Sequence, residues 1–395
     1  MLNTERSISI EISQAEDLPK DKRDRVLSTG SSLDSESSFR RAKLNWPMMY
    51  QMYESHYEDL RGTVFGPDSP EFQPVRASET LRASLHGLET NDQMVIQTIL
   101  NHNNFQRQKI LNAYGDLYNR SLIEDLEEEA GGYFLEICKV LFQPAHVYDA
   151  QQLYKSLSNR YGDRSIAIEI ACTRTARQLR VIKETYAQDY RKPLDKDITV
   201  KVEGIIGRML NMLLTHNRDD RVGIKIDEEL VDKHANILAA TSIDDLAKNV
   251  TMFEELFITH SWKHIGAVFE RVDEIRKDQL DIESQIRRNK NIHSEIRLIL
   301  LTIVRVSRNT QIYFAEKLRN AMISEQPDHN SIIRICVSRS EVDLFDIGME
   351  YKRKYHKSLE HDISQTCSGD YMRLVTSLIN GDIGENGFAP TPDSM

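Results

Sequence analysis

Helix breakers are scarce in this chain. Its 17 glycines and 10 prolines in 395 residues both fall below average usage, which favours an all-α architecture over a turn-rich one. Cysteine is also rare. Cys138, Cys172, Cys336 and Cys367 form no CxxC pair and sit among apolar residues, so a reduced, intracellular compartment is expected. Long hydrophobic runs are missing. The most apolar stretch, Ile296 to Val306, is interrupted by Arg297 and Arg305 and is too short to span a bilayer. No apolar run follows the start, so no signal peptide is expected. A net charge of −10 disfavours non-specific nucleic-acid binding. It also opposes contact with anionic lipid unless a cation or a local basic patch intervenes. With no Walker loop, nucleophile elbow or Gly-rich dinucleotide turn, an enzyme is not expected.

Apolar residues make up 40% of the chain, enough for a sizeable core. From Leu81 to Phe142 they recur at helical spacing in short bursts: Val95, Ile96, Ile99 and Leu100, then Ile110, Ala113, Tyr114 and Leu117. Leu122, Ile123 and Leu126 follow, then Phe134, Ile137 and Leu141. Polar turns separate the bursts, giving roughly five short helices, none able to bury its stripe alone. The order returns at Leu153 to Leu214 and Leu318 to Leu378, and in a worn form from Ala235 to Val304. A period of roughly 70 to 80 residues marks an array of helical units that share packing surfaces.

From Arg61 to Ile379 the chain resembles the annexins. The matching stretches include Gly62-Thr63-Val64, Glu79-Thr80-Leu81-Arg82, Gln106-Arg107-Gln108 and Val147-Tyr148-Asp149-Ala150. Val337-Ser338-Arg339-Ser340-Glu341, Asp343-Leu344-Phe345 and Ser368-Gly369-Asp370-Tyr371 continue the likeness. The resemblance implies an all-α fold: four repeats of about five helices each in a curved right-handed superhelical disc. The repeats are expected at 78–144, 149–219, 231–309 and 311–379. A solvated tail (1–43), an additional helix and linker (44–77) and a flexible C-terminal tail (380–395) would flank them. It also implies a cytoplasmic protein, peripheral at the plasma or a vesicle membrane, that binds anionic phospholipid through calcium.

Annexins resemble one another in an inter-helix loop of the form Gly-x-Gly-Thr paired with a distant carboxylate. Ca²⁺ needs six to eight oxygens, and a glycine loop can turn several carbonyls toward one point. In repeat 1 the loop is Gly87-Leu88-Glu89-Thr90. The resemblance assigns the ligands to the carbonyls of Leu85, Gly87 and Glu89 and to the carboxylate of Glu129. Glu89 replaces the second glycine, a departure that weakens the site by about 1–2 kcal/mol if the backbone there is left-handed. In repeat 2 the loop Asn159-Arg160-Tyr161-Gly162-Asp163-Arg164 has lost both glycine positions, and Lys201 stands where the carboxylate should. A lysine there repels a cation by roughly 4 kcal/mol at 4 Å. Repeat 3 reads Ser242 to Lys248 with Asn291 nearest the ligand position. Repeat 4 has Ser324-Glu325-Gln326-Pro327 and Thr366. Calcium is therefore expected in repeat 1 only.

Arg160, Arg164, Lys201, Arg287, Arg288 and Lys290 fall in the loops that face the membrane in an annexin-like disc, where fixed cations would meet lipid phosphates. Asp149, Glu169, Arg174 and Arg334 match positions that form ion pairs in a hydrophilic core between annexin repeats. His260 and His264 have the i, i+4 spacing of two metal ligands on one helix face. No third ligand is evident in sequence, and His260 stands where other repeats carry Arg174 and Arg339, which favours a helix-junction role. Trp46, Tyr50, Tyr53 and Tyr57 lie at helical spacing, a stripe suited to packing on the array or to a protein partner through residues 44–60. The alternative to calcium-dependent lipid binding is a calcium-independent membrane or protein scaffold using the basic loops and this aromatic helix.

Overall fold

The computed structural model describes residues 61–67, 70–86, 91–158, 163–215, 218, 225–277 and 279–381. The N-terminal tail, the aromatic stripe at 44–60, Gly87, Glu89, Arg160 and the C-terminal tail beyond Gly381 lie outside them. Among the described residues there are 21 helices and no strands, and no helix is long and apolar enough to cross a membrane.

Repeat 1 comprises α1 (Pro74–Leu85), α2 (Asp92–Leu100), α3 (Asn104–Tyr118), α4 (Leu122–Glu129) and α5 (Gly132–Leu141). Repeat 2 has α6 (Ala145–Ser158), α7 (Ser165–Thr173), α8 (Ala176–Tyr190), α9 (Leu194–Lys201) and α10 (Gly204–Thr215). Repeat 3 gains a short sixth element. It runs α11 (Glu228–Ala240), α12 (Ile243–Leu246), α13 (Val250–Phe257), α14 (Trp262–Ile275), α15 (Ile282–Arg288) and α16 (Ser294–Arg308). Repeat 4 has α17 (Thr310–Ile323), α18 (His329–Arg339), α19 (Leu344–Tyr355), α20 (Leu359–Thr366) and α21 (Gly369–Asn380). The four-repeat, all-helical array expected from the sequence is present.

Two boundaries move. Residues Pro74 to Ala77, expected in the linker, form the first turn of α1, because a proline at the helix start loses only a donor that would be orphaned there anyway. Likewise α6 begins at Ala145, ahead of the repeat boundary expected at 149, so Asp149 lies inside that helix.

Local chemistry explains why such short helices end where they do. Asn103 with Gln106 and Thr175 with Gln178 form reciprocal capping boxes at α3 and α8, and Ser121 with Glu124 does so at α4. Asn119, Arg191 and His356 take a left-handed conformation after α3, α8 and α19, and Gly132, Gly204 and Gly369 take one at the start of α5, α10 and α21. Repeat 3 has neither device: Arg276 after α14 has φ −96°, and no glycine opens α16.

Counting from the turn that opens each third helix, Tyr114, Tyr186 and Tyr351 occupy one place. All three are buried, and each hydroxyl donates to an aspartate at the start of the next helix: Asp125, Asp197 and Asp362. The matching residues in repeat 3 are Val272 and Glu283, and Glu283 instead accepts from Arg305 at 2.9 Å and from Arg287. The worn look of repeat 3 in sequence is thus a change in how its helices are fastened, and its apolar core persists in Ala235, Leu238, Phe253, Phe269 and Ile299.

The units interlock. Helices α21 and α18 of repeat 4 pack on α2 and α5 of repeat 1, and α7 and α10 of repeat 2 pack on α16 and α13 of repeat 3. The segment before α1 also binds repeat 4: Thr63 and Val64 donate to the Ser340 carbonyl at 2.6 and 3.0 Å, and Phe345 donates back to that of Arg61 at 3.1 Å. The Arg61 guanidinium lies 4.2 Å from the Phe345 ring centroid.

Candidate functional site

In each of the first three repeats described residues at or beside the loop after the first helix approach the end of the fourth long helix: His86 nears Glu129, Arg164 nears the Lys201 carbonyl, and Asp244 meets Asn289 and Asn291. What stands between them differs from repeat to repeat.

In repeat 1 the α1–α2 loop is short; the Asn91 amide donates back to the Ser84 carbonyl at 2.9 Å. Leu85 is buried, and its neighbour His86 brings Nδ1 to 4.0 Å from a carboxylate oxygen of Glu129 at the end of α4. Three glutamates in a row end α4, and they fare differently. Glu127 pairs with Lys139 at 2.8 Å and Glu128 with Arg120 at 2.7 Å. Glu129 has no lysine or arginine within ion-pair distance among the described residues. It faces a groove of about 360 Å³ between repeats 1 and 4 that Asp92 and Asp370 also line. Behind it, Asp125 is buried among Arg82, Arg120, His86 and the Tyr114 hydroxyl. Burial pushes the Asp125 carboxyl up, but these hydrogen bonds and cations outweigh it and hold the group below its usual range. Asp125 is committed to holding α1, α3 and α4 together, whereas Glu129 faces the groove.

Repeat 2 corrects the expectation for two residues. Arg164 is not a surface cation: it is buried, pairs with Glu295 of repeat 3 at 2.8 Å, and approaches the Lys201 carbonyl at 3.5 Å. Its guanidinium is drawn inward because a carboxylate from the next repeat closes over it. Lys201 is likewise occupied: its ammonium donates to Asp197 at 2.7 Å and lies 4.9 Å from the Tyr154 ring centroid. Both cations are spent on internal bonds.

In repeat 3 Asp244, in the loop position, accepts from the amides of Asn289 and Asn291 at 3.3 Å each. Amide donors here bridge the gap that an ion would bridge. Arg288 and Lys290 are exposed with no described carboxylate within ion-pair distance, whereas Arg287 pairs with Glu283. In repeat 4 the Thr366 hydroxyl turns back to the Asp362 carbonyl at 2.8 Å and supplies no charge.

The four candidate core residues make two ion pairs. Arg174 clasps Asp149 with two bonds of 2.7 and 2.8 Å inside repeat 2. Arg334 of repeat 4 pairs with Glu169 of repeat 2, which also accepts from Lys317 at 2.8 Å. Burial raises the Glu169 carboxyl, but Arg334 and Lys317 overcome it and hold its pKa at about 2.

Sequence reading missed one residue. His234, on α11, stands with His260 and His264, their nitrogens all within 4.8 Å of one another. His260 precedes the cap Ser261 of α14, so the two histidines noticed in sequence do not share a helix face; they converge on the third instead. Laying repeat 3 over repeat 2 gives the signal, since His234 then falls on Asp149.

A sequence model of the annexin family, described as "Annexin", matches residues 76–141, 148–213 and 313–378, leaving repeat 3 unmatched. The chain is similar to human annexin A5, 34% identical over 323 residues, covering 82% of this chain and 98% of the relative. It is also similar to human annexin A11, 33% identical over 322 residues; that match spans 82% of this chain and 62% of the longer relative. Among solved structures, annexin III superposes with a TM-score of 0.74 at 31% identity, covering 82% of this chain and 98% of that one. With three repeats matched by the family model and a third of the residues shared across nearly the whole of a relative, the chain belongs to the annexin family of calcium-dependent phospholipid-binding proteins.

Proposed function

We propose that the chain binds anionic phospholipid surfaces peripherally, and that its calcium is confined to repeat 1. The ion would be held by the carbonyls of Leu85, Gly87 and Glu89 and by Glu129, with a lipid phosphate oxygen completing its shell. The observation that carries this reading is the contrast within one acidic run. Glu127 and Glu128 pair with Lys139 and Arg120, whereas Glu129 faces an open acidic groove with no lysine or arginine within ion-pair distance among the described residues and the His86 imidazole at 4.0 Å. Repeats 2 to 4 support it from the other side: at their carboxylate positions stand Lys201, bonded to Asp197, Asn291, whose amide donates to Asp244, and Thr366, whose hydroxyl turns back to the Asp362 carbonyl.

A calcium-independent component rests on Arg288 and Lys290, exposed on repeat 3, with Arg287 beside them and Arg160 outside the described residues. At about 1 kcal/mol for each basic residue near an anionic surface, Arg288 and Lys290 give weak, salt-sensitive adsorption. The segment 44–60 is the proposed element for a protein partner. No catalytic step enters this reading.

Cosedimentation with phosphatidylserine vesicles tests it. Calcium is expected to increase binding of the unaltered protein, Glu129→Gln to remove that increase, and Arg288→Ala/Lys290→Ala to lower only the chelator-resistant fraction. Calcium-dependent binding that survives Glu129→Gln would overturn the assignment to repeat 1.

A further inference from the structure

The junction between the first and third helices of a repeat is fastened differently in each unit. In repeat 2 it holds the Asp149–Arg174 ion pair. In repeat 4 the Arg339 guanidinium lies 4.8 Å from the Phe314 ring centroid and pairs with Asp343. Repeat 3 places three histidines at the corresponding positions: His234 on α11, His260 in the turn after α13, and His264 in the first turn of α14. Their ring centroids are 4.8, 5.2 and 4.5 Å apart. Nδ1 of His234 lies 3.0 Å from Nε2 of His264. His234 and His264 are buried and His260 is half-buried, so the cluster has a closed floor and one side toward solvent.

We infer that His234, His260 and His264 form a site for a divalent transition metal of the zinc type, bound by three imidazoles with a fourth position open past His260. Zn–N bonds of about 2.0–2.1 Å in a tetrahedron set the ligand nitrogens roughly 3.3 Å apart. The His234–His264 pair is already near that spacing, and His260, the least confined of the three, closes the remaining gap by rotating its ring. Burial favours the neutral, ligating form of all three rings, and the neighbouring imidazoles reinforce it at His234 and His264. Glu255 and Asp227 act on the cluster as favourable charges, Lys233 and Arg218 as opposing ones. Arg218 is itself held 3.6 Å from the Trp262 ring centroid and donates to the Phe257 carbonyl at 2.7 Å. An all-imidazole set suits zinc, copper or nickel and discriminates against calcium, which takes oxygen. The site is therefore chemically separate from the repeat 1 loop. A bound metal would clamp α11 to the α13–α14 turn in the repeat that has lost its tyrosine–aspartate fastening.

The full chain, stripped with chelator and exchanged into calcium-free buffer, is titrated with Zn²⁺ by calorimetry and with Co²⁺ by visible absorption. We expect one high-affinity Zn²⁺ per chain, an intense tetrahedral Co²⁺ spectrum, and a rise in Tm that chelator reverses and saturating calcium leaves in place. His260→Ala, at the half-exposed position, is expected to keep the helical circular dichroism of the metal-free protein. It should weaken Zn²⁺ by no less than the roughly 10–100-fold that loss of an outer-shell partner costs. No zinc binding would overturn the inference. So would binding of unchanged affinity in both His260→Ala and His234→Gln, which would assign the ion to surface carboxylates.

Discussion

Replacing Glu169 by glutamine tests the joint between repeats 2 and 4. Glu169 is fully buried and faces two cations, Arg334 on α18 and Lys317 on α17. Desolvation works against its charge, yet the two cations hold the carboxyl at about 2 rather than 4.5; that difference corresponds to about 3 kcal/mol in favour of the folded state. An independent route gives the same size, since removing one partner of a buried pair costs about 3–5 kcal/mol. Arg334 is only 2% exposed and has no path to water once its partner is neutral, whereas Lys317 can swing outward. At about 2 °C per kcal/mol for a large domain, Glu169→Gln should lower Tm by roughly 6 °C at pH 7, with Arg334→Met in the same background recovering part of the loss. The sign with pH follows from a depressed carboxylate: its contribution is complete above about 4.5 and disappears as pH falls toward 2. The gap between the two proteins should therefore narrow below pH 4.5. Scanning calorimetry at pH 7 and pH 4 checks this. A variant within 1 °C of the parent at pH 7, or a gap that does not shrink in acid, would refute the reasoning.

Two further outcomes follow from the same coordinates. Gly62→Ala puts a methyl carbon 2.5 Å from the Ser340 carbonyl oxygen; a fixed backbone cannot yield there, so a loss on the order of 2 kcal/mol is expected, read by urea denaturation. The four cysteines are free and buried, and burial pushes the Cys172 thiol up to about 12, so a thiol reagent at pH 8 should label the native chain slowly and all four sites after denaturation.

The array was legible in sequence because each helix keeps its apolar stripe even where other features decay; Ile110, Leu153, Phe269 and Leu318 are all fully or nearly fully buried. Resemblance singled out Asp149, Glu169, Arg174 and Arg334 as one group, but which acid meets which arginine came only from the structure. The loop cations were not legible. A loop arginine such as Arg164 reads as a surface charge until Glu295, distant in the chain, is seen to reach it. His234 was hidden for a related reason: proximity to His260 depends on how α11 lies against α14, and it shows in sequence only when repeat 3 is laid over repeat 2. Periodicity reports which face of a helix is buried; it does not report which long side chains turn inward to meet a partner from another unit.

The segment from Arg61 to Val64 lies against α18 and α19, and Gly381, which follows α21, sits so close to Thr63 that an added Cβ would fall 2.9 Å from its carbonyl. The first and last described residues of the array therefore leave it from one spot, at the C-terminal end of α21, while Ser368, Asp370 and Tyr371 at the other end of that helix line the acidic groove. Any pull on either flanking segment, from a bound partner or an added phosphate, is delivered there before it reaches anything else. The spot is the natural place for an event in the tails to be felt by units one and four together.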